Sequence, residues 1–284
     1  MPEVRSDPVQ PAPAADAFPQ RFAANAARGL LALTRVPRAK LPRLRARAFV
    51  AVALAIAAVI ASMFFLDVAA SDWARNLPRW FVEPFYTITK FGLSGWFLYP
   101  LGTLLLALAA IASPALPRRT RGILAALSVR CGFLFLAIGA PGLFTTIVKR
   151  LIGRARPFVG GHDDPFLYAP FIWRPAYAAM PSGHATNAVA AAIAIGAVWP
   201  ESRWVMWLYA LTIMLSRVVV LAHHPSDVIA GALVGAVGAL GVRRYFAARR
   251  LGFCPSDLRA YPWPAFRRIA AALRQVANSR RQRA

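Results

Sequence analysis

Acidic side chains are scarce in this chain: 11 Asp and Glu stand against 34 Lys and Arg among 284 residues, a formal net charge of +23. Cysteine is scarcer, with Cys131 and Cys254 alone. Two thiols cannot build a zinc-type cluster, and their expected place near the cytoplasmic side argues against a disulfide. No zinc-finger, RNA-binding or helix-turn-helix pattern accompanies the arginines, so a pI of about 11.7 is not read as nucleic-acid binding. Contact with anionic lipid headgroups is the expectation instead. What the chain has in quantity is apolar surface. Hydrophobic residues make up 58% of it and the mean hydropathy is +0.49, an unusual pairing with such basicity for a soluble domain.

A bilayer span needs about 20 apolar residues. Six stretches meet or approach that length: 48–66, 95–115, 123–148, 183–199, 204–221 and 228–242. The last three are short enough to pass for buried core helices, but the pattern as a whole predicts an all-α integral membrane protein, a bundle of six transmembrane helices. Residues 48–243 form the membrane domain in this reading. Residues 1–47 form a basic, Pro/Ala-rich cytoplasmic tail, and residues 244–284 a second basic cytoplasmic tail. The small residues of "DVAASDW" resemble a signal-peptide cleavage site, yet 47 residues precede the apolar run, too many for a signal peptide. Arg130, near the start of the third span, is expected to snorkel to the cytoplasmic interface.

Orientation follows from the basic residues. Arg118, Arg119 and Arg121 in "PRRTRG" mark a short loop that should be cytoplasmic. Both tails are basic too, and an even number of spans puts them on that same side. Alternation then sends "VKRLIGRARP" outside, so Lys149, Arg150, Arg154 and Arg156 break the positive-inside tendency. Lys149 and Arg156 are seven apart and would share a face if the helix continued, with Pro157 ending it. Bound anion is the compensation this arrangement suggests; tolerated stray charge is the alternative.

Two further polar clusters fall on that face. "MPSGHATN" opens the fourth span, with Pro181 and Ser182 at the cap, Gly183 next, and His184 in the first turn, where free N–H groups suit a phosphate. "SRVVVLAHHPSD" closes the fifth span and opens the sixth. It places Ser216 and Arg217 inside an apolar helix, where an ionisable residue marks a functional site. Pro225 starts the next helix, putting Asp227 in its first turn. His223 and Asp227 are close enough for the carboxylate to orient the ring and free the other nitrogen as a nucleophile, although Asp227 also reads as an acidic helix-start residue. Together these groups suit phosphoryl transfer by positioning and electrostatics, without a metal or other cofactor. His162, Asp163 and Asp164 in "GGHDDPF" offer a lesser, metal-binding alternative.

Lys149-x6-Arg156-Pro157, then Pro181-Ser182-Gly183-His184, then Ser216-Arg217-x5-His223-x3-Asp227 resemble the signature of the type 2 phosphatidic acid phosphatase family. The resemblance spans roughly residues 145–230 directly, and the tails fall outside it. It implies a membrane-embedded six-helix phosphatase acting on lipid phosphates or pyrophosphates. In it His223 would attack phosphorus, Asp227 would orient that ring, and His184 would protonate the leaving oxygen and then activate water. Lys149, Arg156, Ser182, Gly183 and Arg217 would hold the phosphate. Expected substrates are a lipid A phosphate, undecaprenyl pyrophosphate, phosphatidic acid or phosphatidylglycerol phosphate. The expected setting is the bacterial inner membrane, with the site facing the periplasm and membrane lipids as the only other partners. A phosphotransferase would use the same residues; a non-catalytic anionic-lipid binding or transport protein would not need the His223–Asp227 pair. Exterior aromatics, including Trp73, Trp80, Trp173 and Tyr177, suit an interfacial belt, some of them lining lateral access for a lipid.

Overall fold

The computed structural model describes residues 18–262, so the outer parts of both expected basic tails lie outside the described residues. Every regular element among them is helical: α1 (Phe18–Thr34), α2 (Ala46–Phe65), α3 (Asp67–Arg75), α4 (Arg79–Ile88), α5 (Gly95–Ile111), α6 (Arg118–Ile152), α7 (Gly183–Val198), α8 (Arg203–Val219) and α9 (Pro225–Ala248). Each of the six apolar stretches falls on one helix, α2 and then α5 to α9. Four helical segments are long and apolar enough to cross a membrane: Ala46–Phe65, Arg79–Ile111, Arg118–Ile152 and Pro225–Ala248. This is a multi-pass membrane protein. Helices α7 and α8, at 16 and 17 residues, fall short of the roughly 20 residues a span needs.

"DVAASDW" is helical, as the start of α3. Two local readings change. "PRRTRG" is the first turn of α6 rather than a loop. Arg130, expected to extend towards lipid headgroups, is instead buried against protein and donates to the Tyr261 carbonyl at 2.6 Å and to the Ala126 carbonyl at 3.1 Å. The chain after α9 folds back beneath α6, bringing an acceptor that hydropathy could not reveal. Both cysteines are free. Within residues 1–47, α1 is a docked helix whose Asn25 amide donates to the carbonyls of Ala109 and Ala112 at 2.8 Å each.

Helix α7 is the centre of the bundle. Its sequence, GHATNAVAAAIAIGAV, is almost free of bulk, and twelve of its 16 residues are buried between α6, α8 and α9. Small side chains are what let backbones approach where no water drives apolar surfaces together. The facing helix answers with glycine at four-residue spacing. A Cβ at Gly231 would collide with the Ser182 carbonyl, and one at Gly235 with the Thr186 carbonyl. Phe133, Phe246 and Phe253 fill the opposite end of the core edge to face, with centroids 5.5 and 4.6 Å from Phe133. In contrast, α2 buries only Val59 and Ser62 and leaves Leu54, Ile60, Phe64 and Phe65 exposed, as a lipid-facing helix would.

The ends of the helices sort into two sets. The C-termini of α2, α6 and α8 meet the N-termini of α7 and α9 at one end. At the other, the segment before α2 meets the end of α9: the Arg38 amide donates to the Ala248 carbonyl at 2.8 Å, and Arg244 to the Pro42 carbonyl at 2.7 Å.

Candidate active site

The first end holds all eight residues singled out from the sequence. Helix α6 delivers Lys149 in its last turn and then stops at Gly153, whose φ of 64° is left-handed. A side chain there would also run into the Ala169 carbonyl, so glycine is needed twice over. The stop at Gly153, four residues before Pro157, takes Arg156 off the helix. It lies in an extended segment, its amide donating to the Ala176 carbonyl at 2.9 Å. Lys149 and Arg156 therefore do not share a helix face; the loop brings them into the same electrostatic neighbourhood instead.

Ser182 is the N-cap of α7, with its hydroxyl 3.5 Å from the Ala185 amide. Its own amide donates to the Asp227 carbonyl at 2.9 Å, joining the start of α7 to the start of α9. Gly183 follows, and His184 rests against Gly92, the last residue of a 3-10 turn at Thr89–Gly92. That turn also contacts Arg217, which is buried in the last turn of α8 and donates to the Thr89 hydroxyl at 2.5 Å. The chain leaves α8 through Leu221 at φ 52° and doubles back, so that the His223 amide donates to the Arg217 carbonyl at 3.2 Å. His184 then lies within electrostatic reach of Arg217, His223, Lys149 and Arg156. Three motifs scattered over 79 positions occupy one site.

His223 is buried with Nδ1 3.7 Å from Asp227 Oδ2, too long for a hydrogen bond, and that nitrogen has no other partner. The expected pair exists as a close electrostatic contact rather than a closed bond. Burial pushes the His223 pKa down to about 4; Asp227 opposes the shift, and Arg217 and Arg156 add to it. The imidazole is therefore neutral near pH 7 and carries a free lone pair. Arg156, also held below the ordinary arginine value chiefly by burial, stays charged.

Asp227 is busier than the sequence suggested. Its Oδ1 accepts from Arg154 at 2.5 Å and its Oδ2 from the His224 amide at 3.0 Å. Arg154, which the sequence left without a role of its own, is fully buried and also meets Asp67 at 2.8 Å. Its pKa is raised, because Asp227 and Asp67 outweigh the opposing effect of burial. His224 Nε2 lies 2.9 Å from Asp163 Oδ1, and burial there is likewise outweighed by Asp227 and Asp163, raising the pKa of His224. Asp163 is thus engaged with a histidine and Asp164 with the Phe166 amide at 2.8 Å. Among the described residues no three His, Cys, Asp or Glu converge as a metal ligand set would.

The sequence reading missed Asp67, Thr89, Gly92, Arg154, Ser226 and the structural part of His224. Only one signal was available for any of them, an acidic residue at the very end of an apolar run. Among the described residues, no carboxylate lies within ion-pairing distance of Lys149, Arg156 or Arg217. A buried neutral histidine, a second histidine and three cations without a carboxylate partner among the described residues thus gather at one end of the bundle, an arrangement suited to phosphoryl chemistry.

Comparison with known proteins agrees with that class. The sequence profile of the PAP2 superfamily matches residues 131–251. The chain is 34% identical over 214 residues to the lipid A 1-phosphatase of Rhizobium johnstonii, covering 75% of this chain and 85% of that one. It is 32% identical over 218 residues to the lipid A 1-phosphatase of Rhizobium etli, covering 76% and 91%. A decaprenylphosphoryl-5-phosphoribose phosphatase of Mycobacterium tuberculosis is 35% identical over 159 residues, 56% of this chain and 80% of its own. A crystal structure of a PAP2-type phosphatidylglycerolphosphate phosphatase from Bacillus subtilis aligns with a TM-score of 0.41 at 18% identity, over 78% of this chain and 94% of that one. The chain belongs to the PAP2 superfamily, the type 2 phosphatidic acid phosphatases.

Proposed function

We propose that this protein is a lipid phosphate phosphatase that works through a phosphohistidine, with lipid A carrying a 1-phosphate as the first substrate to test. The carrying observation is His223: a neutral, buried imidazole with Nδ1 turned to a carboxylate, beside cations that lack carboxylate partners. Nε2 of His223 attacks phosphorus, and the bond from phosphorus to the lipid oxygen breaks as the P–N bond forms. His184 gives its proton to the departing lipid oxygen. Water then attacks phosphorus, His184 takes the proton, the P–N bond breaks, and orthophosphate leaves. Lys149, Arg156 and Arg217, with Ser182 and Gly183 at the start of α7, carry the charge on the phosphoryl oxygens. Asp227 orients the nucleophile.

The choice of lipid A is supported by two relatives that share about a third of their residues with this chain and carry that name. An apolar groove between α4 and α8, lined by Ile88, Phe91, Leu208, Tyr209 and Ile213, suits an acyl chain. Ile213 and His184 both border Gly92, so the groove runs up to the site. All six apolar helices cross the inner membrane in this proposal, with both tails cytoplasmic and the site periplasmic. Supporting it, the site gathers helix ends of alternating sense, while the segments flanking α2 and α9, rich in arginine, meet at the far end.

The test is phosphate release by purified protein from lipid A, undecaprenyl pyrophosphate, phosphatidic acid and phosphatidylglycerol phosphate, beside His223→Ala. Quenching with acid, which hydrolyses the P–N bond, is avoided and the protein is digested at high pH, where a phosphohistidine survives for mass spectrometry. Release by His223→Ala at a substantial fraction of the wild-type rate would sink the assignment. Phosphate passed to a second lipid, with little released to water, would make the enzyme a phosphotransferase.

A further inference from the structure

Asp67 lies at the first residue of α3, directly after the first apolar helix and outside all three sequence motifs. It is fully buried, as are Arg154, Ser226 and Asp227. Its Oδ2 accepts from Arg154 Nη2 at 2.8 Å and from the Ser226 hydroxyl at 2.5 Å. Its Oδ1 accepts from the Ser226 amide at 3.0 Å and from the Ser62 hydroxyl at 3.1 Å. Arg154 in turn places Nη1 on Asp227 Oδ1 at 2.5 Å and on the Ser226 hydroxyl at 2.6 Å, and its Nε on the Pro165 carbonyl at 2.9 Å. One carboxylate thus holds both the guanidinium that fixes Asp227 and the residue immediately before Asp227 in the chain.

We propose that Asp67 is a positioning residue for phosphoryl transfer, setting the Asp227 carboxylate against His223 through Arg154 and Ser226. The proposal rests on the phosphatase reading above. Arg154 is shared between two carboxylates, so each tempers the pull of the guanidinium on the other. Removing the Asp67 charge leaves Asp227 as the sole carboxylate on Arg154, both of them fully buried. The guanidinium then draws Asp227 Oδ1 toward itself, and Oδ2 turns from a ring it already approaches only to 3.7 Å. In Asp67→Asn one of the two acceptor oxygens becomes an amide nitrogen that cannot accept, so either Arg154 Nη2 or the Ser226 amide loses its acceptor. Lys149, Arg156 and Arg217 make no hydrogen bond to Asp67 and keep their places, so phosphate binding stays intact.

This predicts a division between kcat and KM. Asp67→Asn should lower kcat per folded molecule about 10- to 100-fold, as a displacement near 1 Å does at a reacting group, with KM changed less than about threefold. Arg154→Gln should lose at least as much, and combining it with Asp67→Asn should cost clearly less than the product of the two losses, because both act on Asp227 through one network. The assay uses the full chain in detergent micelles, with lipid A and the soluble ester p-nitrophenyl phosphate as substrates, each rate divided by the folded fraction from size-exclusion and thermal melting. Should Asp67→Asn fail to fold, Ser226→Ala removes a single hydroxyl from the same network and should by itself lower kcat about three- to tenfold. Full kcat in folded Asp67→Asn, full kcat in Ser226→Ala, or losses that multiply in the double variant overturn the positioning role while leaving the phosphatase reading standing. A wild-type protein that releases phosphate from neither substrate overturns both.

Discussion

Gly92 is where the smallest change should reach the chemistry. A methyl group added there would stand 2.8 Å from His184 Cδ2, 3.2 Å from His184 Cβ and 2.7 Å from Ile213 Cγ2, where ordinary contact begins at 3.4 Å. The imidazole must retreat by about 0.6 Å, since the backbone of the 3-10 turn is tied to Arg217 through Thr89. Misplacement by 1 Å costs about a hundredfold in rate, so a shift of this size predicts roughly a tenfold fall in kcat for Gly92→Ala. KM should hold, because the cations do not touch Gly92. Overpacking adds a stability loss of about 1–3 kcal/mol, visible as a lower melting temperature. The control is Gly132→Ala in α6, where an added methyl meets nothing within 4 Å. It should keep full activity and gain about 0.4–1 kcal/mol, as alanine narrows the unfolded ensemble. Steady-state phosphate release from a soluble aryl phosphate measures both. If Gly92→Ala keeps its kcat, or loses rate further in a His184→Ala background, then His184 is not the group through which Gly92 acts.

Other outcomes follow from the same geometry. His223→Ala should release no phosphate and yield no phosphohistidine while melting near the wild type, since the ring makes no side-chain hydrogen bond of 3.5 Å or less. The nucleophile must be unprotonated, so activity falls as pH drops through its pKa; with that held down to about 4, the acid limb of kcat/KM set by His223 should lie near pH 4 rather than near the ordinary 6.5. Gly235→Val should separate α7 from α9, whose backbones meet at the Thr186 carbonyl, and lower both melting temperature and activity. Incubation with EDTA should leave the rate unchanged; a loss restored by a divalent ion would refute the metal-free mechanism.

The residues that the sequence made legible are those whose chemistry is out of place. Arg217 in an apolar helix, a cluster of cations where alternation predicts the outer side and histidines at helix starts each break a local expectation, and a broken expectation can be seen without a structure. The residues it hid keep local rules. Asp67 looks like an ordinary acid at the end of a span, and its partners Arg154 and Ser226 lie 87 and 159 positions away. Pairings at that separation leave no periodicity. Arg130 differs in the opposite direction: its place on a helix is plain from the sequence, but the chain from 252 to 262 that covers it returns from beyond α9 and leaves no local signal. Helices α7 and α8 were found from their composition, while their shortness of a full span only became meaningful once α7 proved to be wrapped by three neighbours.

The charge pattern at the end of the bundle that holds the site has an explanation within the fold. Of its acidic groups, Asp67 and Asp227 are both committed to Arg154, and Asp163 to His224. That leaves Lys149, Arg156 and Arg217 without a carboxylate among the described residues, although each is at least partly buried. Buried like charges repel strongly and persist only when something compensates them. In the proposed mechanism the phosphate group of a lipid supplies that compensation when it binds. Substrate phosphate should therefore raise the melting temperature of His223→Ala, which binds but does not turn over, more than it raises that of Arg217→Gln. Equal stabilisation of the two would mean that Arg217 is compensated by something other than the substrate.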